Sequence, residues 1–204
     1  MRILALADMH SHSIRSFEGW RKMYEPDLIL LLGDVMSVYI HMLRDEFADS
    51  VPYYAVLGNH DDPHMPDHWA GRVEFVGQKI QQYKENTFVG IDGCLDPIGR
   101  PSMISQPDWA VTSFLNCLPK DVENLVIVSH NSPYGIHDDP TVMSHTGFSG
   151  LTKLLTESSG TIVLHGHMHK NTTSLFGSNS VVGLYGVNII EIENNEVTQN
   201  QSLM

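Results

Sequence analysis

A chain of 204 residues is long enough for one substantial domain with its own core, and a domain spanning residues 1–204 is expected. Its 42% hydrophobic and 18% charged residues are ordinary for a globular protein, while a formal charge of −12 argues against a broad basic face for nucleic acid. The longest apolar stretch, Leu28–Gly33, is far too short to cross a bilayer, and Asp8 and His10 interrupt the N-terminal apolar run before it reaches signal-peptide length, so a cytoplasmic location with no membrane association is expected.

Three short apolar runs bounded by polar turn residues predict buried strands at Arg2–Ala7, Asp27–Leu32 and Pro52–Leu57. Helices are predicted between them, over Ile14–Tyr24 and Val38–Ala48, which gives the βαβαβ rhythm of a parallel layer. Arg72–Val76 and Lys79–Tyr83 suit short strands and Thr87–Gly93 a better one. Asp92 to Pro107 reads as a loop, punctuated by glycine and proline. A helix follows over Gln106–Leu118, with Pro107 early and Pro119 beyond its end. Leu125–His130 and Gly160–Gly166 are further buried strands, and the alternating tail with its Asn194-Asn195 turn predicts an antiparallel meander. The two cysteines, Cys94 and Cys117, have no metal-type spacing and are expected as free thiols.

Polar clusters follow five of these strands: Asp8 and His10, Asp34, Asn59 with His60 and Asp61, His130, and the run His165–His169. In open α/β sheets, ligands bind beyond the carboxyl ends of strands, so the five clusters are expected to converge. Carboxylate, amide and imidazole donors without cysteine suit first-row divalent metals rather than a structural zinc site. Their number suits two ions roughly 3.5–4 Å apart, the spacing of two-metal hydrolases.

The ordered series "DMH", "GD", "GNHD", "SH" and "GHMH" resembles the calcineurin-like metallophosphoesterases, in the style of small bacterial and archaeal members with little beyond the catalytic core. The resemblance implies an α/β/β/α sandwich, a four-layer α/β fold with two mixed sheets flanked by helices. It implies that Asp8, His10 and His169 hold one metal, that Asn59, His130 and His167 hold the other, and that Asp34 bridges them. Manganese is expected first, with iron, zinc or nickel as alternatives. His60 is then the catalytic histidine that faces a small phosphoester substrate, beside Asn59, and His145 is read as a third substrate-facing residue. Hydroxide generated between the metals would attack phosphorus in line while His60 protonates the leaving group.

A phosphodiesterase is expected, with a phosphomonoesterase and a non-catalytic scaffold as alternatives. "VMS" after Asp34 departs from the Ser/Thr protein phosphatase continuation, and the lipid A pathway and double-strand-break nuclease branches fit no better. Asp61 or Asp62 is considered for orienting His60, and His165 matches no ligand position. His12, His41 and His137 are expected at the surface. Pro63 and Pro66 break any helix that would align His60, His64 and His68. Trp20, Trp69 and Trp109 are expected to pack. Specificity is assigned to the loops around Pro97–Pro107 and Pro133–Gly150.

Overall fold

Strict alternation of inward and outward apolar residues on the first strand sets the layering: Ile3, Ala5 and Ala7 face one buried cluster, while Leu4 and Leu6 face another. The computed structural model describes residues 1–96, 100, 103–119 and 121–203. In chain order the first elements are β1 (Arg2–Ala7), α1 (Trp20–Tyr24), β2 (Leu28–Leu32), α2 (Ser37–Phe47), β3 (Tyr53–Val56), α3 (Met65–His68) and β4 (Glu74–Phe75). Next come β5 (Ile80–Tyr83), β6 (Asn86–Ile91), β7 (Cys94–Leu95), β8 (Ser105–Gln106), α4 (Asp108–Asn116), β9 (Leu125–Ser129) and α5 (Ser149–Glu157). The chain closes with β10 (Ile162–His165), β11 (Thr172–Phe176), β12 (Asn179–Gly183), β13 (Gly186–Glu193) and β14 (Glu196–Ser202).

Two mixed six-stranded sheets result. The first has the order β14-β13-β1-β2-β3-β4 and the second β11-β12-β10-β9-β6-β5. β1 to β4 run parallel in the first sheet, and β6, β9, β10 and β12 run parallel in the second. The sheets face each other across Leu28, Leu30, Leu32, Val56, Phe88, Val126, Val128 and Leu164. α2 packs Tyr39, Ile40, Leu43 and Phe47 on the outer face of the first sheet, and α4 and α5 cover the second with Val111, Leu115, Leu151 and Leu155. The expected α/β/β/α arrangement is therefore present.

Several details differ from the sequence reading. The first helix begins only at Trp20, because the segment before it carries its glycine at φ +81° in Gly19. The tail makes two hairpins rather than one meander. β12 is buried throughout and pairs parallel with β10 in the second sheet, while β13 pairs antiparallel with β1 in the first. The Asn194-Asn195 turn does form, with φ of 50° and 63°, as the right-handed twist of a tight hairpin requires. α5 was not foreseen, although Leu151, Leu154 and Leu155 have helical spacing. The predicted loop from Asp92 holds the short parallel pair β7 and β8, and Pro97, Ile98, Gly99, Pro101 and Ser102 lie outside the described residues. Among the described residues no helix is long and apolar enough to cross a membrane.

Asp27 stitches the two sheets at the end remote from the strand C-termini. Its carboxylate accepts the Arg2 backbone N–H at 2.8 Å and the Lys84 ammonium at 2.6 Å, and its carbonyl accepts the Tyr83 hydroxyl at 2.9 Å. Burial pushes the Asp27 carboxyl up, but Lys84 and the Arg2 N–H outweigh it and hold the group below its ordinary range. Its stabilisation is thus full above the unfolded carboxylate pKa and fades as pH falls through the folded one. Because both partners are partly exposed, Asp27→Asn is expected to cost about 0.5–1 kcal/mol at neutral pH. Urea unfolding at pH 7 and near pH 3 checks this, since the difference should shrink in acid.

Candidate metal centre

All five strand-end clusters meet at one edge of the sandwich. β1, β2 and β3 are parallel neighbours in one sheet and β9 and β10 in the other, so their carboxyl ends face each other across the gap. Close approach there depends on two glycines. A Cβ on Gly33, at φ +87°, would lie 2.5 Å from His130 Nδ1, and one on Gly58 would collide with the Asp34 carboxylate. Gly166 contributes space as well: its backbone is not left-handed, but a Cβ there would meet Asp8 Oδ2 at 3.0 Å.

Asp8, Asp34, His130 and His167 each have one side engaged by the protein and turn the other toward the gap. Asp8 is fully buried; its Oδ2 accepts the His167 backbone N–H at 2.8 Å, while its Oδ1 has no hydrogen bond and lies 3.5 Å from His169 Nε2. Asp34 Oδ1 accepts the His60 N–H at 2.8 Å, leaving Oδ2 at 3.6 Å from His130 Nε2 and 4.0 Å from His10 Nδ1. The ring of His130 bonds the Leu32 carbonyl through Nδ1 at 2.8 Å. A carbonyl only accepts, so Nδ1 carries a proton. Nε2 lies at hydrogen-bond distance from Asn59 Oδ1, 2.9 Å, and 3.6 Å from Asp34 Oδ2. By the same reasoning His167 donates Nε2–H to the Ser144 carbonyl at 2.6 Å and keeps its Nδ1 lone pair.

Electrostatics agree with this pattern. Burial pushes the His167 imidazole down to about 3, so the ring is neutral, as a metal ligand must be. Burial pushes the Asp8 carboxyl up, yet His169 and the further histidine contacts outweigh it and hold Asp8 below the ordinary range. The nearby Asp8 carboxylate correspondingly raises His169. Converging acceptors repel one another, and a divalent cation resolves the repulsion; the donors therefore fit such ions. Among the described residues two groupings have ligand atoms within 4.8 Å of one another, Asp8 with His10 and His169, and Asp8 with Asp34 and His130. Both share Asp8, yet Asp34 Oδ2 is the bare oxygen that lies near both His10 and His130.

Backbone strain concentrates here too. Asp8, Asp34, His167 and His169 all have left-handed φ, between 50° and 66°. Such a conformation costs roughly 1–3 kcal/mol at a non-glycine residue. No feature of the sequence announces it.

A match to the calcineurin-like phosphoesterase family model runs over residues 1–171. The chain belongs to that family. No curated protein sequence matches this phosphoesterase. Among solved structures it is similar to a dimetal phosphatase from Danio rerio, at 13% identity and a TM-score of 0.65, with 95% of this chain and 93% of that one covered. It is also similar to the phosphopantetheinyl hydrolase of Mycobacterium tuberculosis, at 14% identity and a TM-score of 0.59 over 90% and 89% of the chains. GAP50, an anchor in the inner membrane complex of Plasmodium, shares the fold at 12% identity and a TM-score of 0.63, over 100% and 88% of the chains.

The remaining residues of the phosphoesterase fall less evenly. His60 is exposed, with its ring 6.0 Å from that of His10. Asp61 does not orient it: its Oδ2 accepts the N–H groups of Asp34 and Gly58, at 2.9 and 2.8 Å, and so ties the β2 and β3 ends together. Asp62 accepts the His64 N–H instead. His145 lies edge-on to His167 at 5.2 Å. His12 is half-buried, tilted against Tyr185 at 4.4 Å, and Tyr185 stacks on His169 at 5.2 Å, a neighbour the sequence reading missed. His137 is also half-buried, bonded to His165. Trp69 is packed and Trp20 partly so, but Trp109 is 73% exposed. A cavity of about 620 Å³ lies between α4 and α5 around Leu115, Leu125 and Leu154, at the far end of β9 from His130, and has no histidine in its wall.

Adding Mn²⁺ to chelator-treated protein is expected to raise its stability by about 2.7 kcal/mol per site at a hundredfold excess over Kd. For a chain of this size that is roughly 5–10 °C in Tm by calorimetry. His130→Ala should abolish most of the gain; an unchanged metal-induced shift in that variant would place the ions elsewhere.

Proposed function

We propose that the protein is a dinuclear metal-dependent phosphoester hydrolase acting on a small phosphoester, with a phosphodiester favoured over a monoester. The observation that carries the reading is a shared direction: Asp8 Oδ1, which has no hydrogen-bond partner, Asp34 Oδ2, Asn59 Oδ1 and His130 Nε2 face one buried space. In this reading Asp8, His10 and His169 would hold one ion, Asn59, His130 and His167 would hold the second, and Asp34 would serve both. Two divalent ions, manganese first, would supply an acidified water and neutralise charge on the phosphoryl oxygens.

The side chains then divide the remaining work. His60 is anchored by its own N–H on Asp34 Oδ1, which leaves its exposed ring on the solvent side of the cluster. That ring would pass a proton to the departing oxygen as the phosphorus–oxygen bond breaks. Asn59 serves both as ligand and as a substrate contact, and His145 lines the His167 side. The preference for diesters follows from the likeness to small core-only members of the family. Residues 1–204 act as one catalytic unit, in the cytoplasm.

His60→Ala should lower turnover roughly 10²–10⁴-fold while leaving metal content intact, as checked by elemental analysis of the same preparation. Loss of metal in that variant would overturn the role of His60. Turnover of a chromogenic phosphodiester with Mn²⁺ should exceed that of the matching monoester; the reverse order would make the protein a phosphatase. Inactivity on both with two ions bound would favour a scaffold.

A further inference from the structure

Of the three histidines in His165–His169, the first has no part in the proposed metal centre. His165 ends β10 fully buried, and its ring turns toward His137. Its Nδ1 lies 3.0 Å from the Gly166 carbonyl, and its Nε2 lies 3.0 Å from His137 Nδ1. His137 Nε2 in turn lies 2.8 Å from Ser174 Oγ. The Gly166 carbonyl only accepts, so His165 Nδ1 carries the proton and its Nε2 accepts from His137 Nδ1–H. His137 Nε2 then accepts from the Ser174 hydroxyl. Each imidazole uses one N–H and one lone pair, and the chain has a single consistent direction. It ends on a carbonyl, so it carries no proton toward the centre.

What the chain does is fasten a segment. His137, with φ 64°, belongs to the stretch from Asn131 to Phe148 that runs between β9 and α5. That stretch is bonded within itself. Asp138 accepts the N–H groups of Gly135 and Gly147, at 3.0 and 3.1 Å, and the Asp139 N–H reaches the His145 carbonyl at 3.0 Å. Its far end bears Ser144, whose carbonyl takes the His167 Nε2–H, and His145, edge-on to the same ring. His137 and Ser144 are therefore two ends of one tied unit. One end is held on β10 and β11, and the other selects the tautomer of His167.

We propose that His137 is a positioning residue, which through this unit places the Ser144 carbonyl so that His167 presents Nδ1 to the second divalent ion. The inference rests on the reading of His167 as a ligand in a dinuclear centre. The Ser144 carbonyl is the group bonded directly to His167, and partners so bonded to a ligand typically govern metal affinity by roughly 10–100-fold; His137 acts on that affinity by holding the stretch that carries Ser144. A purely structural anchor would instead lower stability and leave the two ions equally bound.

The test is calorimetric titration of metal-free protein with Mn²⁺, together with electron paramagnetic resonance of the loaded samples. His137→Phe keeps a ring but removes both nitrogens. It should weaken the second ion roughly 10–100-fold, leave the first within about threefold, and replace the coupled dinuclear signal by a mononuclear one. His137→Gln, with one donor and one acceptor, should restore most of the second-ion affinity. Ser174→Ala removes only the last hydroxyl of the chain and should shift the second ion in the same direction by a smaller factor, which keeps the test open should the phenylalanine variant not fold. Equal weakening of both ions, or none, would overturn the role of His137. Fewer than two ions on the unaltered protein would overturn the dinuclear reading itself, and this inference with it.

Discussion

Among the hydrogen bonds that join the two sheets, one orients the groups at the strand ends. His130 follows β9 in the second sheet, yet its Nδ1–H is donated to Leu32 in the first. With Nδ1 committed there, Nε2 is turned toward Asn59 and Asp34. Asp8, Asp34 and His167 follow the same rule, with one polar atom satisfied by the protein and another left facing the gap. A buried acceptor with no donor is costly, and left-handed backbone at Asp8, Asp34, His167 and His169 adds strain. Folding alone gains nothing from either. A cation that binds only the folded chain gives both a purpose, because its binding free energy offsets them.

Much of this was legible from residue order. Asp8, Asp34, Asn59, His130 and His167 each follow an apolar run, and parallel strands must deliver their carboxyl ends to one edge. The apolar runs marked the strands, and the resemblance to the family carried the two-sheet sandwich. What escaped the sequence was set by tertiary contact. His137 lies in a polar loop and reads as solvent-facing, but it is half-buried because β10 and β11 bring His165 and Ser174 to it. Asp61, adjacent to His60, suggests a partner for that ring, yet chain direction after Gly58 turns its carboxylate toward backbone N–H groups. β12 and β13 look like one meander because alternation cannot say which sheet a strand joins. Trp109 breaks the expectation for a large aromatic side chain.

Fold and function separate cleanly here. Hydrolases and an anchoring protein share this architecture at 12–14% identity, so the sandwich alone does not distinguish catalysis from scaffolding. The distinction lies in atoms: whether the donors at the strand ends share one direction, and whether a histidine stands exposed beside them. This chain has both features, with His60 on the solvent side and the His167 side backed by Ser144 and His145.

Anomalous diffraction from a crystal grown with Mn²⁺ tests most directly whether these donors form one two-ion centre bridged by Asp34. Such a centre would give two peaks roughly 3.5–4 Å apart, with Asp34 Oδ2 between them, Asp8, His10 and His169 around one, and Asn59, His130 and His167 around the other. A single peak, or two that do not share Asp34, would contradict it.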